Sequence, residues 1–284
     1  MSRIIPLLCL AACLLPSRAL ADLESARLAM ENPAHPLLSV LTVDGAIFIE
    51  LLPSEAPANV ANVVALARGA VQIRDVDSGR NFSPNYYDGM EFHRVLPGFL
   101  IQAGSPALHP LGAPGNPLRD EINAGLLGLN LEPAMDEQGH FNPRLNIHDK
   151  QSLHRQLLAP LYDRMNINSA QELLQRQDEV LSRLQQMTMQ QAYENMGYSY
   201  QDDLPGRAIT RGTVALANAG ANGNGPEFFI ALQDAPWLNG RHTVIGRVVE
   251  GMNVADVIGQ TAVDPLSTNS TGTRIYTIRN VNPE

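Results

Sequence analysis

Apolar and polar positions first alternate with a period of two, in two short runs split by a turn signal. Val40 to Val43 and Ala46 to Leu51 flank Asp44-Gly45, and the second run places Ile47 and Ile49 on one face. This pattern predicts a β-hairpin with a tight two-residue turn. The period then changes. Pro57 stands where a helix tolerates a missing N–H, Val60, Val63, Val64 and Ala67 recur at helical spacing, and Gly69 closes the element. Strand-like pairs with Gly and Pro turns return over residues 86–104. They resume at Gly212–Leu216, Phe228–Leu232, Thr243–Val249 and Arg274–Val281. Short strands, Gly/Asp/Asn turns and one or two isolated helices predict a mainly β domain, a closed antiparallel barrel with helical plugs.

Residues 123–204 have another texture, rich in Gln, Leu and Met and poor in β-branched residues. Leu153, Leu157, Leu161 and Met165 recur every four residues. Ser169-Ala170-Gln171-Glu172 has the spacing of a capping box and opens a second stripe of Leu173, Val180, Leu181 and Leu184. Thr188 starts a third helix, ended by Gly197. The pattern predicts a helical insertion of about three helices. It either buries a small core or lays its stripe on the barrel, as a packed insertion or as a partner-binding arm.

The N-terminus changes the setting. Arg3, the apolar stretch Ile4 to Leu15, and the small-residue region ending at Ala21 read as a signal peptide over 1–21, followed by a leader over 22–36 with Pro33 and Pro36. Export to the periplasm is the expectation, with cleavage after Ala21. The alternative is a lipoprotein anchored through Cys13, because Leu10-Ala11-Ala12-Cys13 resembles a lipobox. No stretch reaches the roughly 20 apolar residues of a membrane-spanning helix. Both cysteines, Cys9 and Cys13, lie in the targeting segment, so the mature chain has no thiol for a disulfide, a metal or a nucleophile.

Of the 284 residues, 44% are hydrophobic and 17% charged, ordinary for a globular chain. The net charge of −9 excludes a nucleic-acid surface, which needs clustered Lys and Arg. Lys150 is the one lysine. Asn222-Gly223-Asn224-Gly225 looks like a phosphate cradle, but no Lys-Ser/Thr follows and no helix opens there. His140, His148 and His154 match no common metal spacing and read as solvated surface.

Two segments carry the candidate chemistry. One runs from Tyr87 to Gly104 and contains Phe92-His93-Arg94-Val95-Leu96-Pro97-Gly98-Phe99-Leu100-Ile101-Gln102-Ala103-Gly104. The other is Asn218-Ala219-Gly220-Ala221-Asn222-Gly223-Asn224-Gly225-Pro226-Glu227-Phe228-Phe229-Ile230, followed by Trp237-Leu238-Asn239-Gly240-Arg241-His242. Together they resemble the cyclophilin family over residues 37–122 and 205–283, the whole core of such a domain. The resemblance implies an eight-stranded barrel capped by helices, spanning 37–284 and interrupted by 123–204.

It also implies peptidyl-prolyl cis/trans isomerisation of proline-containing, unfolded or exported polypeptides, with no cofactor and no metal. Arg94 would be the catalytic donor and Gln102 would hold it. Phe99, Leu100, Phe229, Leu238 and His242 would line the proline pocket, Ala217 and Asn218 would bind the peptide backbone, and Trp237 would form the rim. Three positions depart from the family pattern. Leu100 stands for Met, a volume-conserving change. Ala103 stands for Gly and crowds the backbone slightly. Glu227 stands for Gln, and is expected to pair with Arg94 and to lower activity or shift substrate preference. A binding module with incidental isomerase activity is the second reading.

Overall fold

The alternation over 37–51 does make a hairpin. In the computed structural model, which describes residues 21–75, 77–261 and 272–282, β1 (Leu37–Thr42) pairs with β2 (Gly45–Leu51) from Leu37↔Glu50 to Thr42↔Gly45. The turn is Val43-Asp44, one residue earlier than expected. The Thr42 hydroxyl fixes it by donating to the Gly45 carbonyl at 2.8 Å and accepting from the Asp44 N–H at 3.1 Å. The signal peptide, Cys9 and Cys13 lie outside the described residues, apart from Ala21.

The leader docks on this hairpin. α1 (Leu23–Leu28) is capped by Asp22, and its Ala26 is buried with Leu37 and Phe48. Beneath it the buried Glu50 carboxylate accepts from the N–H groups of Glu31 and Asn32, from His35 Nδ1, and from Arg247 Nε at 3.0 Å. Four donors on one carboxylate satisfy a charge that burial alone would penalise.

After the hairpin come α2 (Pro57–Ala67), the two-residue strands β3 (Ile73–Arg74) and β4 (Asn81–Phe82), then β5 (Arg94–Leu96) and β6 (Leu100–Ala103). β7 (Thr213–Leu216), β8 (Phe228–Ala231), β9 (Val244–Glu250) and β10 (Ile275–Asn280) complete the main sheet. Its eight strands are antiparallel in the order β10-β1-β2-β9-β7-β8-β6-β5. The expected closed barrel is corrected to an open sheet. β5 is three residues long and stops at the Pro97-Gly98 turn, too short to run a ladder against β10. The edges meet instead at the isolated bridge Glu91↔Arg274 and at bonds such as Phe92 N–H to Thr273 O, 2.9 Å. One core lies inside the curl. Val40, Ile47, Ile101, Phe228, Ile230, Ile245 and Ile275 face Val60, Val63 and Leu66 of α2, and Val254 and Ile258 of α8 (Met252–Gln260). Ala103 faces this core, and its ladder to Phe228 is intact.

Between β6 and β7 the chain is helical. The stripe from Leu153 to Met165 spans α3 (Lys150–Leu153), a π-helical turn at His154–Leu158 and α4 (Ala159–Arg164). Pro160 explains the wide turn, since it has no N–H and its ring crowds the carbonyl four residues back. The second expected helix is two, α5 (Ala170–Gln175) and α6 (Gln177–Gln185), broken at Arg176. Val180 is buried, but Leu181 points outward at 52% exposure. Ser169 caps α5 from Glu172 N–H, while the Glu172 carboxylate turns to Asn168 N–H, so the reciprocal box does not form. It forms at α7 (Met189–Asn195), between Thr188 and Gln191. Leu129, Leu145, Leu157, Leu161, Val180, Met189, Tyr193 and Tyr198 bury a second core. Of the alternatives left open by the sequence, this segment builds a core of its own. It meets the sheet where Tyr200 Oη donates to Gly240 O at 2.9 Å and Asn222 Nδ2 to Gly197 O at 3.3 Å. Among the described residues no helix is long and apolar enough to cross a membrane.

Candidate active site

Strand parity separates two faces of the β5-β6-β8-β7 sheet. Val95, Ile101, Phe228 and Ile230 enter the main core, so Arg94, Leu96, Leu100, Gln102, Phe229 and Ala231 face outward together. On that outer face Leu100, Ala215, Phe229, Ala231 and Val244 form a third apolar cluster. Leu100 and Phe229 are its enclosed floor, at 4% and 2% exposure. Half-buried Leu96, Phe99, Ala217 and Leu238 surround it. Trp237, on the 3-10 turn Pro236–Leu238, is 42% exposed and lies 5.6 Å from the Phe99 ring. His242 meets Phe229 edge-on at 5.3 Å, and its Nδ1 donates to Leu216 O at 3.0 Å. Burial pushes the imidazole down to about 4, so it is neutral at ordinary pH and presents Nε2 as an acceptor.

The polar edge of this notch is a chain of side chains. The Cα register pairs Arg94 with Gln102, and Arg94 Nη1 donates to Gln102 Oε1 at 2.9 Å. Gln102 Nε2 donates to Glu227 Oε1 at 2.6 Å, and His93 Nε2 reaches the same oxygen at 2.9 Å. A carboxylate can only accept, so His93 presents its N–H there, and the Gln102 amide is held with its oxygen toward Arg94. Burial alone would raise the Glu227 carboxyl. The hydrogen bonds from His93 and Gln102, with the charges of His93 and Arg94, outweigh it and hold the group below its ordinary value. The expected Glu227–Arg94 pair is therefore corrected. Glu227 bonds His93, and Gln102 stands between it and the guanidinium. The exposed Arg94 keeps its remaining N–H donors toward solvent.

The loop before Glu227 is tied down on its far side. Ala217 N–H donates to Glu227 O at 2.9 Å. Asn218 Nδ2 donates to Arg241 O at 2.9 Å and Asn224 Oδ1 at 3.3 Å, so its amide braces the loop. Buried Asn224 donates to Thr243 Oγ1 at 3.0 Å. The Asn222 N–H, in the suspected phosphate cradle, donates to Asp120 Oδ2 at 2.7 Å, which puts an anion of the chain itself in that place. Gly104 has φ +88, and a Cβ there would lie 2.6 Å from Pro226 O and 3.3 Å from Glu227 Cα. A side chain at 104 would displace the backbone that aims Glu227. His140, His148 and His154 lie apart, against Asp136, Asn146 and the Tyr162 ring. Sequence reasoning missed His93 and Asp120. The first was legible as the neighbour of Arg94 in the same motif; the second is 102 residues from its partner, and nothing in spacing marks it.

A family profile described as cyclophilin type peptidyl-prolyl cis-trans isomerase/CLD matches residues 37–281. The chain belongs to this family. Peptidyl-prolyl cis-trans isomerase B of Streptomyces anulatus is 27% identical over 223 residues, covering 78% of this chain and 82% of the relative. Peptidyl-prolyl cis-trans isomerase A of Mycobacterium tuberculosis (strain ATCC 25618 / H37Rv) is 28% identical over 222 residues, covering 78% of each. A crystal structure of a cyclophilin type isomerase from Cryptosporidium parvum, with the dipeptide Ala-Pro, covers 86% of this chain and 98% of its own at 18% identity and a TM-score of 0.46. This cyclophilin is a peptidyl-prolyl cis-trans isomerase, and cyclophilins bind proline-containing peptides.

Proposed function

We propose that this isomerase speeds rotation about X–Pro bonds in exported polypeptides, with Arg94 as the donor that selects the twisted amide. The observation that carries this reading is the Arg94–Gln102 hydrogen bond at the border of the Leu100–Phe229 floor. Amide resonance sets a barrier of roughly 18–20 kcal/mol, and the planar prolyl nitrogen offers no lone pair to a donor. As the bond twists, the nitrogen becomes pyramidal and basic. A guanidinium aimed at it stabilises the twisted state more than either planar state, and each ~1.4 kcal/mol of that difference is tenfold in rate. Arginine suits the role because it stays charged and holds its donors in a fixed plane. Phe99, Leu100, Phe229 and Leu238 seat the pyrrolidine ring, with Trp237 as rim, neutral His242 behind Phe229 and Gln102 reaching the substrate backbone.

Arg94→Ala should lower catalysed exchange at least about 100-fold, the scale for removing one transition-state donor. Magnetisation-transfer spectroscopy on a proline peptide measures it; equal rates for both proteins would sink the assignment and favour a binding module. Export to the periplasm is supported by the charged, apolar and small-residue order of residues 3–21. Mass spectrometry of the mature N-terminus checks it: Asp22 is expected first, and a lipid-modified Cys13 would refute the soluble form. The second core of 123–204 favours a packed structural segment over a free partner-binding arm.

A further inference from the structure

We propose that a cleft beside Trp237 is a second substrate subsite that takes an acidic side chain a few residues from the isomerising proline. The inference rests on the proline-pocket reading above and extends it outward. The cleft holds about 350 Å³ and is lined by Pro143, Arg144, Asn146, Trp237, Leu238 and Arg241. That volume sits at the small end of ligand clefts.

Two independent cores fix its walls. Leu238 packs on the cluster that holds Leu100 and Phe229, and Trp237 lies against Phe99. The cleft thus shares Trp237 and Leu238 with the border of that notch. The opposite wall is the 3-10 turn Pro143–Leu145, anchored by Leu145 at 2% exposure in the helical core and capped by Asn142, whose Oδ1 accepts from Arg144 N–H at 3.1 Å. The segment between β6 and β7 therefore supplies half of a groove whose other half belongs to the sheet.

The charge of the cleft selects its occupant. Arg144 Nη1 pairs with Glu132 Oε2 at 3.0 Å, and that carboxylate is shared with Asn142 Nδ2. Arg241 lies beside the Tyr198 phenol with its Nε buried and without a hydrogen-bond partner, and no carboxylate lies within ion-pair distance of it among the described residues. Two guanidiniums against one carboxylate leave a positive cleft on a chain of net charge −9. Trp237, Leu238 and Pro143 offer apolar surface for a methylene stem, and guanidinium is the side chain best matched to a carboxylate end.

Trp237 is the chain's one tryptophan and borders both sites, so its fluorescence reports peptide binding without turnover. The test titrates peptides with a single proline that carry Glu, Gln or Arg at each of three positions on either side. In the wild type, one register should bind Glu about fivefold more tightly than Gln and Arg more weakly, with the advantage fading in high salt. In Arg241→Gln the Glu-to-Gln ratio should fall to about one. The inference is overturned if no register favours Glu in the wild type, or if Arg241→Gln and Arg144→Gln both keep the full ratio. The wild-type arm needs no variant, so a misfolded protein does not shield the idea. Exchange spectroscopy on the same peptides keeps the two readings apart. Failure to catalyse any of them sinks the proline-pocket reading, whereas catalysis without a Glu advantage sinks only the cleft.

Discussion

Replacing Glu227 by Gln changes one charge and almost no volume, beside the proposed catalytic donor. Glu227 accepts from His93 Nε2 at 2.9 Å and from Gln102 Nε2 at 2.6 Å, and Gln102 in turn accepts from Arg94 at 2.9 Å. A glutamine at 227 can still accept from both Gln102 and His93 with its carbonyl oxygen, since both donors meet one and the same oxygen of the carboxylate. The Gln102 orientation therefore survives, and the lost quantity is the negative charge. Two unit charges 4 Å apart interact by about 4 kcal/mol at a surface-like dielectric and about 1 kcal/mol in water. Glu227 and Arg94 are one side chain further apart, and Glu227 is about a fifth exposed, so the lower figure applies.

On the proposed mechanism, the carboxylate draws positive potential away from the place where the prolyl nitrogen gains its lone pair. Glu227→Gln should then raise kcat/KM by a few-fold and not more than about tenfold, the equivalent of ~1.4 kcal/mol. Glu227→Ala removes the acceptor as well, frees the Gln102 amide to turn, and should lower kcat/KM. The pH dependence has a definite sign. The Glu227 carboxyl is held below its ordinary value of 4.5, with His93, Arg94 and the Tyr86 phenol as its titratable neighbours. The gain of the Gln variant should shrink below about pH 4.5, where the wild type neutralises itself. Exchange spectroscopy of both variants between pH 4 and 8 measures this. A Glu227→Gln rate equal to or below that of the wild type would refute the electrostatic account.

Two further expectations concern stability against pH. His242 is held at about 4 against 6.5 when unfolded, so the unfolded chain binds the extra proton between those values. The stabilisation is complete above pH 6.5, and about 3 kcal/mol is lost as pH falls to 4; His242→Gln should flatten that limb in urea titrations, and an unchanged slope would contradict it. The Glu50 carboxyl is lowered below 4.5 because its hydrogen bonds and Arg247 outweigh a burial effect that raises it. Its contribution is therefore present above about pH 4.5 and lost below. Glu50→Gln should cost about 3 kcal/mol at neutral pH by thermal or urea unfolding and should weaken the docking of residues 22–36, read by hydrogen exchange at Ala26 and Leu37.

What the sequence made legible was local. The hairpin of β1 and β2, the Pro57 helix start and the Thr188 helix start each depend on side chains within a few residues, and each stands where the pattern put it, the turn within one residue. The closed barrel was misjudged because closure depends on whether β5 is long enough to reach β10, and three residues ended by Pro97-Gly98 look the same in sequence whether or not a partner waits beyond them. The wiring of Glu227 was misjudged for a related reason. Sheet order places β6 between β5 and β8, so a side chain at the start of β8 meets Arg94 only across Gln102. Chain order gives no hint of this, since residues 94, 102 and 227 become neighbours only when a strand from beyond the helical segment enters beside β6. The same topology explains why that segment can border the site at all. It leaves the sheet after β6 and returns before β7, its two ends are tied together by Gln201 N–H to Ile122 O and by Asn123 Nδ2 to the Asp202 and Leu204 carbonyls, and its Pro143–Leu145 turn borders the cleft beside Trp237 that is proposed to take substrate.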